Sequence, residues 1–218
     1  MADLKISEIF HSIQGEGSRA GLPCVFVRLH GCGLRCSWCD TPYALDHREG
    51  GDMMDTGAVL SRVASYRCDF VELTGGEPLE QEAVFPFMTE LCDQGFTVAV
   101  ETGGHVDISR VDARVTVIMD VKCPGSGMMK KNRPENLEYL KPTDEVKFVV
   151  RDREDYQWMR AFIEREHLAD RCGEILVSPA FDDIPYRDLA AWMLEDRLPA
   201  RLQLQLHKFI WDPDARGV

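Results

Sequence analysis

Short runs of apolar, often β-branched residues alternate along the chain with segments of helical spacing, and this alternation constrains the fold more than any other feature. The runs fall at 5–10, 24–29, 70–74, 96–101, 115–121, 145–150, 174–178 and 202–206, each the length of a strand. Several are almost wholly apolar, as strands are when helices cover both faces of a parallel sheet. Helical spacing occupies 56–66, where Thr56 is placed to cap, and 80–93, where Gly95 follows as a left-handed terminator. It recurs at 152–167 and 185–196. Strands alternating with helices mean βα units and a parallel sheet. Six such units begin at Cys24, too few for an eight-fold barrel, so the expected fold class is α/β, an incomplete TIM-like βα barrel. There is no internal repeat, low-complexity segment or linker, and 218 residues suit one domain spanning 1–218.

Charge and cysteine usage narrow the function classes. With 25 basic and 37 acidic side chains the net charge is −12, a field that repels a phosphate backbone, so no nucleic-acid partner is expected. No apolar stretch approaches the roughly 20 residues of a membrane span. The opening Met1-Ala2-Asp3-Leu4-Lys5 lacks an apolar signal core, and a cytoplasmic location is expected. Five of the eight cysteines (Cys24, Cys68, Cys92, Cys123 and Cys172) are scattered through apolar or strand-like contexts, as small core residues in a reducing compartment are.

The other three form Cys32-Gly33-Leu34-Arg35-Cys36-Ser37-Trp38-Cys39. Three thiolates can hold three irons of a cubane cluster and leave the fourth iron open to a small molecule. Clusters that only carry electrons normally have four protein ligands, so this spacing points to chemistry at the cluster. The rival is a structural zinc site, which needs a fourth ligand such as His30 or His47.

Four polar or glycine-rich clusters follow expected strands: the cysteine loop, Gly75-Gly76-Glu77-Pro78, Glu101-Thr102-Gly103-Gly104, and Asp120 with Lys122 and the Ser126 loop. All lie at strand C-termini, the rim where parallel α/β barrels build active sites. Gly75 and Gly76 let backbone approach a ligand, Glu77 can accept from an ammonium group, and Pro78 fixes the turn. The segment 123–133, with its glycines, lysines and proline, reads as a mobile active-site loop or a surface loop.

Cys-x3-Cys-x2-Cys followed by Gly-Gly-Glu-Pro resembles the radical S-adenosylmethionine superfamily. The run from Glu8 to Gly17 (Glu-Ile-Phe-His-Ser-Ile-Gln-Gly-Glu-Gly) resembles the opening of 7-carboxy-7-deazaguanine synthases. So do Arg28, Cys39-Asp40-Thr41, the Glu101 run and the ending Gln205-Leu206-His207-Lys208. The resemblance covers essentially the whole chain. It implies a barrel of the radical S-adenosylmethionine type that converts 6-carboxy-5,6,7,8-tetrahydropterin to 7-carboxy-7-deazaguanine with loss of ammonia, in queuosine and 7-deazapurine biosynthesis. It implies a [4Fe–4S] cluster on Cys32, Cys36 and Cys39, and Mg²⁺ on Thr41. It implies S-adenosylmethionine against Trp38, Asp40, Gly75, Gly76, Glu77, Glu101, Asp120, Val121, Lys122, Ser178 and Pro179. The pterin would meet Ile13, Gln14, Gly15, Glu16, Arg28, Thr74 and the carboxylate of Val218. No residue is assigned a catalytic role of its own. A flavodoxin or ferredoxin would supply electrons, and open strand edges favour a homodimer.

Those residue types suit the task. Gln14 donates and accepts, Glu16 accepts from ring N–H groups, and Arg28 offers a planar fork to a substrate carboxylate. Taken alone, most have plainer readings. Gln14 and Glu16 suit a polar turn, Arg28 a strand surface, Thr41 a turn start, and Asp120 with Lys122 an ion pair. Gln203, Gln205 and His207 alternate with leucines as in a half-buried last strand without catalytic duty. Trp158, Met159, Trp192 and Met193 have core spacing, and 151–171 carries a solvated helix face. Two whole-protein rivals remain: an activase that makes a glycyl radical on a partner protein, and a zinc-stabilised interaction protein.

Overall fold

The computed structural model describes residues 3–213 and 215–218. Its strands are β1 (Asp3–Ile13), β2 (Pro23–Leu29), β3 (Asp52–Asp55), β4 (Phe70–Gly75), β5 (Thr97–Thr102), β6 (Thr116–Asp120), β7 (Glu145–Val150), β8 (Glu174–Pro179) and β9 (Arg201–Leu202). Its α-helices are α1 (Thr56–Ser65), α2 (Val84–Asp93), α3 (Arg153–Arg165), α4 (Tyr186–Glu195) and the single turn α5 (His207–Ile210). The strands form one sheet in the order β3-β1-β2-β4-β5-β6-β7-β8-β9. From β2 through β9 every pairing is parallel, while β1 runs antiparallel to both β2 and β3. The result is an open βα barrel with an N-terminal extension, as the alternation predicts.

Three details depart from the sequence reading. β3 was not foreseen: four residues with Met53 and Met54 between two aspartates give too short a pattern. Asp55, not Thr56, caps α1 by accepting from the Gly57 N–H at 2.9 Å. The final strand expected at 202–206 stops at Leu202, and the chain then leaves the sheet. Gly95 does terminate α2, at φ +90°.

Strand periodicity sorts the interior. Val25, Val27 and Leu29 of β2, Val71 and Leu73 of β4, Val98 and Val100 of β5, and Val146, Phe148 and Val150 of β7 face the helices and join one core with Met159, Met193, Leu189 and Phe87. The alternate residues face the barrel interior. At the floor these are the small apolar cluster Cys24, Phe26, Phe70, Ala99 and Ile118. Above it they are Arg28, Glu72, Thr74, Glu101, Asp120 and Lys147, all lining one cavity. The charges inside otherwise apolar strands therefore share one face. Trp158 and Trp192 pack against the core, as their spacing predicts.

The β1–β2 loop spans the open side of the barrel. Gly17 N–H donates to Gln203 Oε1 at 2.8 Å, and Leu206 N–H to Gly15 O at 3.0 Å. Ser18 reaches Glu145 at the foot of β7. This strap brings residues 14–18 against 203–207 and carries Gln14 and Glu16 inward.

Candidate active site

The cavity has a volume of about 660 Å³ and lies at the C-terminal ends of the parallel strands. That is ample for a bicyclic ligand beside a nucleoside-sized one. Cys32, Cys36 and Cys39 sit on its wall, Cys32 buried and the other two half-buried, and all are free thiols. Burial pushes the Cys32 thiol up to about 11 even though the Leu34 N–H donates to its Sγ at 3.4 Å. Burial likewise raises Cys36, against the pull of Lys122. An iron bound there would displace those protons. Among the described residues no three His, Cys, Asp or Glu side chains converge as around a single metal ion. Three cysteine thiols lining one cavity are a donor set that suits an iron–sulfur cluster.

Beside the thiols the wall carries room and polar atoms for a cofactor. Trp38, Asp40, Gly75, Gly76, Glu101, Asp120, Lys122, Ser178 and Pro179 all line the cavity. Lys122 Nζ donates to Asp120 Oδ2 at 2.7 Å, while Asp120 Oδ1 is buried without a partner among the described residues, an acceptor that a ligand donor would satisfy. Burial opposes the Lys122 charge, yet Asp120 holds its ammonium firmly protonated.

Glu77 and Val121 do not line the cavity. Glu77 is fully buried, and its carboxylate accepts from Leu79 N–H (3.0 Å), Thr102 Oγ1 (2.8 Å) and Gly103 N–H (2.7 Å). It ties the turn after β4 to the turn after β5. The glycines before it are also required by the protein itself. A Cβ on Gly75, at φ +137°, would lie 2.2 Å from Leu29 O, and one on Gly76 would lie 2.1 Å from Gly31 O. Their bareness lets this turn press against the backbone that leads into the cysteine loop.

The cavity also carries a charged network. Gln14 Nε2 donates to Glu72 Oε2, and Gln14 Oε1 accepts from Glu16 N–H at 2.9 Å. Lys147 Nζ bridges Glu16 Oε2 and Glu101 Oε1, the latter at 2.7 Å. Gln203 and Gln205 also donate to Glu16, at 2.9 and 2.7 Å, and Thr74 Oγ1 to Glu101 at 3.2 Å. Burial disfavours the Glu16 carboxylate, but Lys147 beside it wins and holds it below its usual range. Glu72, which pairs with no cation among the described residues, is pushed up by burial and by Glu101 and Glu16. Sequence reasoning missed Glu72, Lys147 and Gln205 as part of the site, and His207 lines the cavity too. The signal for the first two was a charge in mid-strand within an apolar run.

Arg28, though on a strand, has a side chain only 17% exposed. Its Nε donates to Glu8 Oε1 at 2.7 Å, and Tyr43 Oη donates to the same oxygen at 2.8 Å. Arg216 from the C-terminal tail lies over the Tyr43 ring at 3.7 Å, and the tail as far as Val218 closes that side of the cavity. Thr41 donates to Gly75 O at a long 3.5 Å and lies 3.9 Å from Cys39 Sγ, so its oxygen is lightly held. Ile13, Gly15 and Thr74 complete the lining. The cavity therefore gathers residues from both ends of the chain.

Known proteins resemble this chain in sequence and in fold. The profile described as a 4Fe-4S single cluster domain matches residues 13–134. The 7-carboxy-7-deazaguanine synthase of Chlorobaculum tepidum is 48% identical over 220 residues, covering all of this chain and 98% of the relative. That of Koribacter versatilis is 43% identical, covering 99% and 100%. Among solved structures, QueE from Escherichia coli superposes with a TM-score of 0.75 at 24% identity, covering 93% of this chain and 94% of that one. Archaeal TYW1 gives 0.56 at 12% identity, covering 81% and 72%. These two structures bear on the fold.

Proposed function

The chain belongs to the 7-carboxy-7-deazaguanine synthase family, and on that premise we propose how its cavity converts 6-carboxy-5,6,7,8-tetrahydropterin to 7-carboxy-7-deazaguanine with release of ammonia. When bound, a [4Fe–4S] cluster and S-adenosylmethionine together supply the one-electron chemistry that removes a hydrogen atom from the substrate. Cys32, Cys36 and Cys39 hold the cluster. Trp38, Gly75, Gly76, Asp120, Lys122, Ser178 and Pro179 receive S-adenosylmethionine. In that role Glu77 and Val121 act from behind, by setting the backbone that faces the ligand.

The chain's own residues bind and orient the pterin. Gln14 and Glu16 are fixed from below by Glu72 and Lys147, which presents amide and carboxylate groups to the pyrimidine edge. Arg28, steadied by Glu8, meets the substrate carboxylate, and the Val218 end of the tail covers the ring. Thr41, whose hydroxyl is lightly held, would offer one ligand to a Mg²⁺ ion, which could polarise the substrate as a Lewis acid. The observation that supports this reading best is the shared cavity, lined both by three free thiols and by Gln14, Glu16 and Arg28.

Neither rival is retained. Relatives of one name match end to end. A homodimer, a flavodoxin or ferredoxin donor and a cytoplasmic location stay part of the proposal. Among the described residues no helix is long and apolar enough to cross a membrane.

The test is anaerobic turnover. Reconstituted protein receives a reductant, S-adenosylmethionine, Mg²⁺ and the tetrahydropterin acid, and the product is read by mass. The deazaguanine acid, with ammonia released and S-adenosylmethionine retained, is the expected result. Deoxyadenosine without that acid overturns the substrate.

A further inference from the structure

Three titratable side chains near the cysteine loop stay outside the cavity lining: His47, Glu80 and His105. They meet at the carboxylate of Glu80, which ends the 3-10 turn Pro78–Glu80 after β4. Glu80 Oε1 accepts from the Gly33 N–H at 3.0 Å and pairs with His105 Nε2 at 2.8 Å. Oε2 is buried without a hydrogen bond among the described residues, and His47 Nε2 stands 3.3 Å from it. Gly33 makes this approach possible. A Cβ there would lie 2.6 Å from Glu80 Oε1, so a side chain at that position would push the carboxylate off the loop.

Gly33 directly follows Cys32, so a carboxylate is held one residue from a thiol. The two carboxylates of this turn divide the work. Glu77 accepts from Thr102 and Gly103 after β5, whereas Glu80 accepts from the cysteine loop itself. Burial opposes the Glu80 charge, yet His105 and the Gly33 N–H hold its carboxyl below the usual range, and His47 adds to the pull. The cysteine loop's own cation, Arg35, is exposed and donates to Cys32 O and Leu34 O at 2.6 Å. Water screens that charge more than it screens the half-buried Glu80.

We propose that Glu80 is a positioning residue for the iron–sulfur centre: through the Gly33 N–H it fixes the Cys32 end of the loop, and its negative charge makes the reduced centre a stronger one-electron donor. The inference rests on the reading that Cys32, Cys36 and Cys39 hold a [4Fe–4S] cluster. Reduction adds one negative charge to such a centre, and a fixed negative charge beside it disfavours that step. An electron that is harder to put on is given up more readily. Hydrogen bonds that orient a ligand from behind are the other lever a protein has on a metal centre, and Glu80 supplies both from one carboxylate.

The experiment is a redox titration of reconstituted holoenzyme without substrate, with photoreduced 5-deazariboflavin as the one-electron reductant and the reduced cluster read by electron paramagnetic resonance. Native protein is compared with Glu80→Gln, Glu80→Asp and Glu80→Ala. Glu80→Gln keeps the shape and an oxygen for the Gly33 N–H but carries no charge. It should load iron as native protein does, and its equilibrium constant for reduction should rise about tenfold, an upward shift of roughly 59 mV for one electron. Glu80→Asp retains the charge and should return the potential toward the native value. Glu80→Ala should show the same upward shift as Glu80→Gln and lose iron to a chelator faster than native protein, since the loop has also lost its hydrogen bond. A native or lowered potential in Glu80→Gln overturns the proposal. Loss of the cluster from a Glu80→Gln protein whose apo form unfolds at the native temperature does so too, because the carboxylate is then a structural prop alone. If Glu80→Gln does not fold, the potential of Glu80→Ala carries the same decision. Failure of the cluster reading looks different: native protein then takes up no iron and sulfide and gives no signal on reduction.

Discussion

Arg28 donates through Nε to Glu8 Oε1 at 2.7 Å, and that same oxygen accepts from Tyr43 Oη at 2.8 Å. Glu8 therefore fixes one edge of the guanidinium fork and leaves the two η nitrogens, which make no hydrogen bond among the described residues, for a ligand carboxylate. Burial opposes the Arg28 charge, and Tyr43 and Glu8 overcome it and raise its value. Replacing Glu8→Gln keeps the shape and removes the charge that orients Arg28. KM for the pterin acid should rise about tenfold, equivalent to roughly 1.4 kcal/mol, with iron content and S-adenosylmethionine affinity unchanged. Arg28→Ala should weaken substrate binding further. Steady-state kinetics check both, and an unaltered KM in Glu8→Gln removes this positioning role.

Gly76 tests whether the turn after β4 serves the protein as well as the ligand. An alanine methyl there would lie 2.1 Å from Gly31 O and 2.7 Å from Ala44 O, both main-chain atoms that cannot swing aside. Gly76→Ala should lower stability by about 1–3 kcal/mol even in the metal-free protein, because the clash is with backbone. Thermal unfolding of the apo form is the check. An unchanged midpoint would mean that the glycine answers to the ligand alone.

Cys36 separates the cluster from the fold. It is half-buried at the cavity wall, and deleting a thiol there removes little packing. Cys36→Ala should leave the unfolding midpoint of the apo protein within a few degrees of native. It should abolish iron incorporation and all cleavage of S-adenosylmethionine. Iron and sulfide analysis after anaerobic reconstitution decides the matter, and a full complement of iron would exclude Cys36 as a ligand.

The strands and the cysteine loop were legible because their signals are local. β4 reads as Phe70-Val71-Glu72-Leu73-Thr74, and the parallel sheet follows from such runs. What stayed hidden depends on contacts between distant residues. Glu16 gains its meaning from Lys147, 131 residues away, and from Gln203 and Gln205 near the other end of the chain. The alternation of Gln203, Gln205 and His207 with leucines imitates a strand, yet these residues leave the sheet to meet the strap. Arg28 looks like a surface residue because nothing in the sequence announces that β1 lies alongside β2 and brings Glu8 to it. The second role of Gly75 and Gly76 stayed hidden for the same reason: spacing cannot reveal their close approach to Leu29 and Gly31.

Glu72 gives a pH signature. Burial, with Glu101 and Glu16 nearby, raises its folded value above the unfolded one. A carboxyl of that kind binds its proton more tightly when folded, so its contribution is fully present below the ordinary carboxylate value. It is lost as pH rises through the folded value. Glu72→Gln keeps an oxygen that accepts from Gln14 and carries no charge at any pH. The variant should therefore unfold at a higher temperature than native protein at pH 8, and the gap should close near pH 4. A gain of 1 kcal/mol corresponds to about 2–4 °C for a domain of this size. An equal effect at both pH values would mean that Glu72 does not change protonation on folding.

Among the described residues Lys147 is the one cation paired with both Glu16 and Glu101, and all three are largely withdrawn from water. Burial works against its charge, but Glu101 and Glu16 raise its value well above that of a free lysine. Lys147→Met fills similar space and leaves two carboxylates facing each other unpaired. Breaking a buried pair from one side costs about 3–5 kcal/mol. In the native protein the depressed value of Glu16 gives a contribution present above the ordinary carboxylate range and lost as pH falls through its folded value. In the variant that contribution is gone at every pH, and the stranded carboxylates recover only by taking up protons. The stability deficit of Lys147→Met should therefore be largest at pH 8 and shrink toward pH 4. Adding Glu101→Gln should restore part of the stability at pH 8, since one of the two repelling charges is removed. It should not restore the pterin KM, because Glu16 would still lack the ammonium that fixes its orientation. Urea unfolding at both pH values, with kinetics on the double variant, separates the two effects. A deficit independent of pH would place the cost in packing instead of charge.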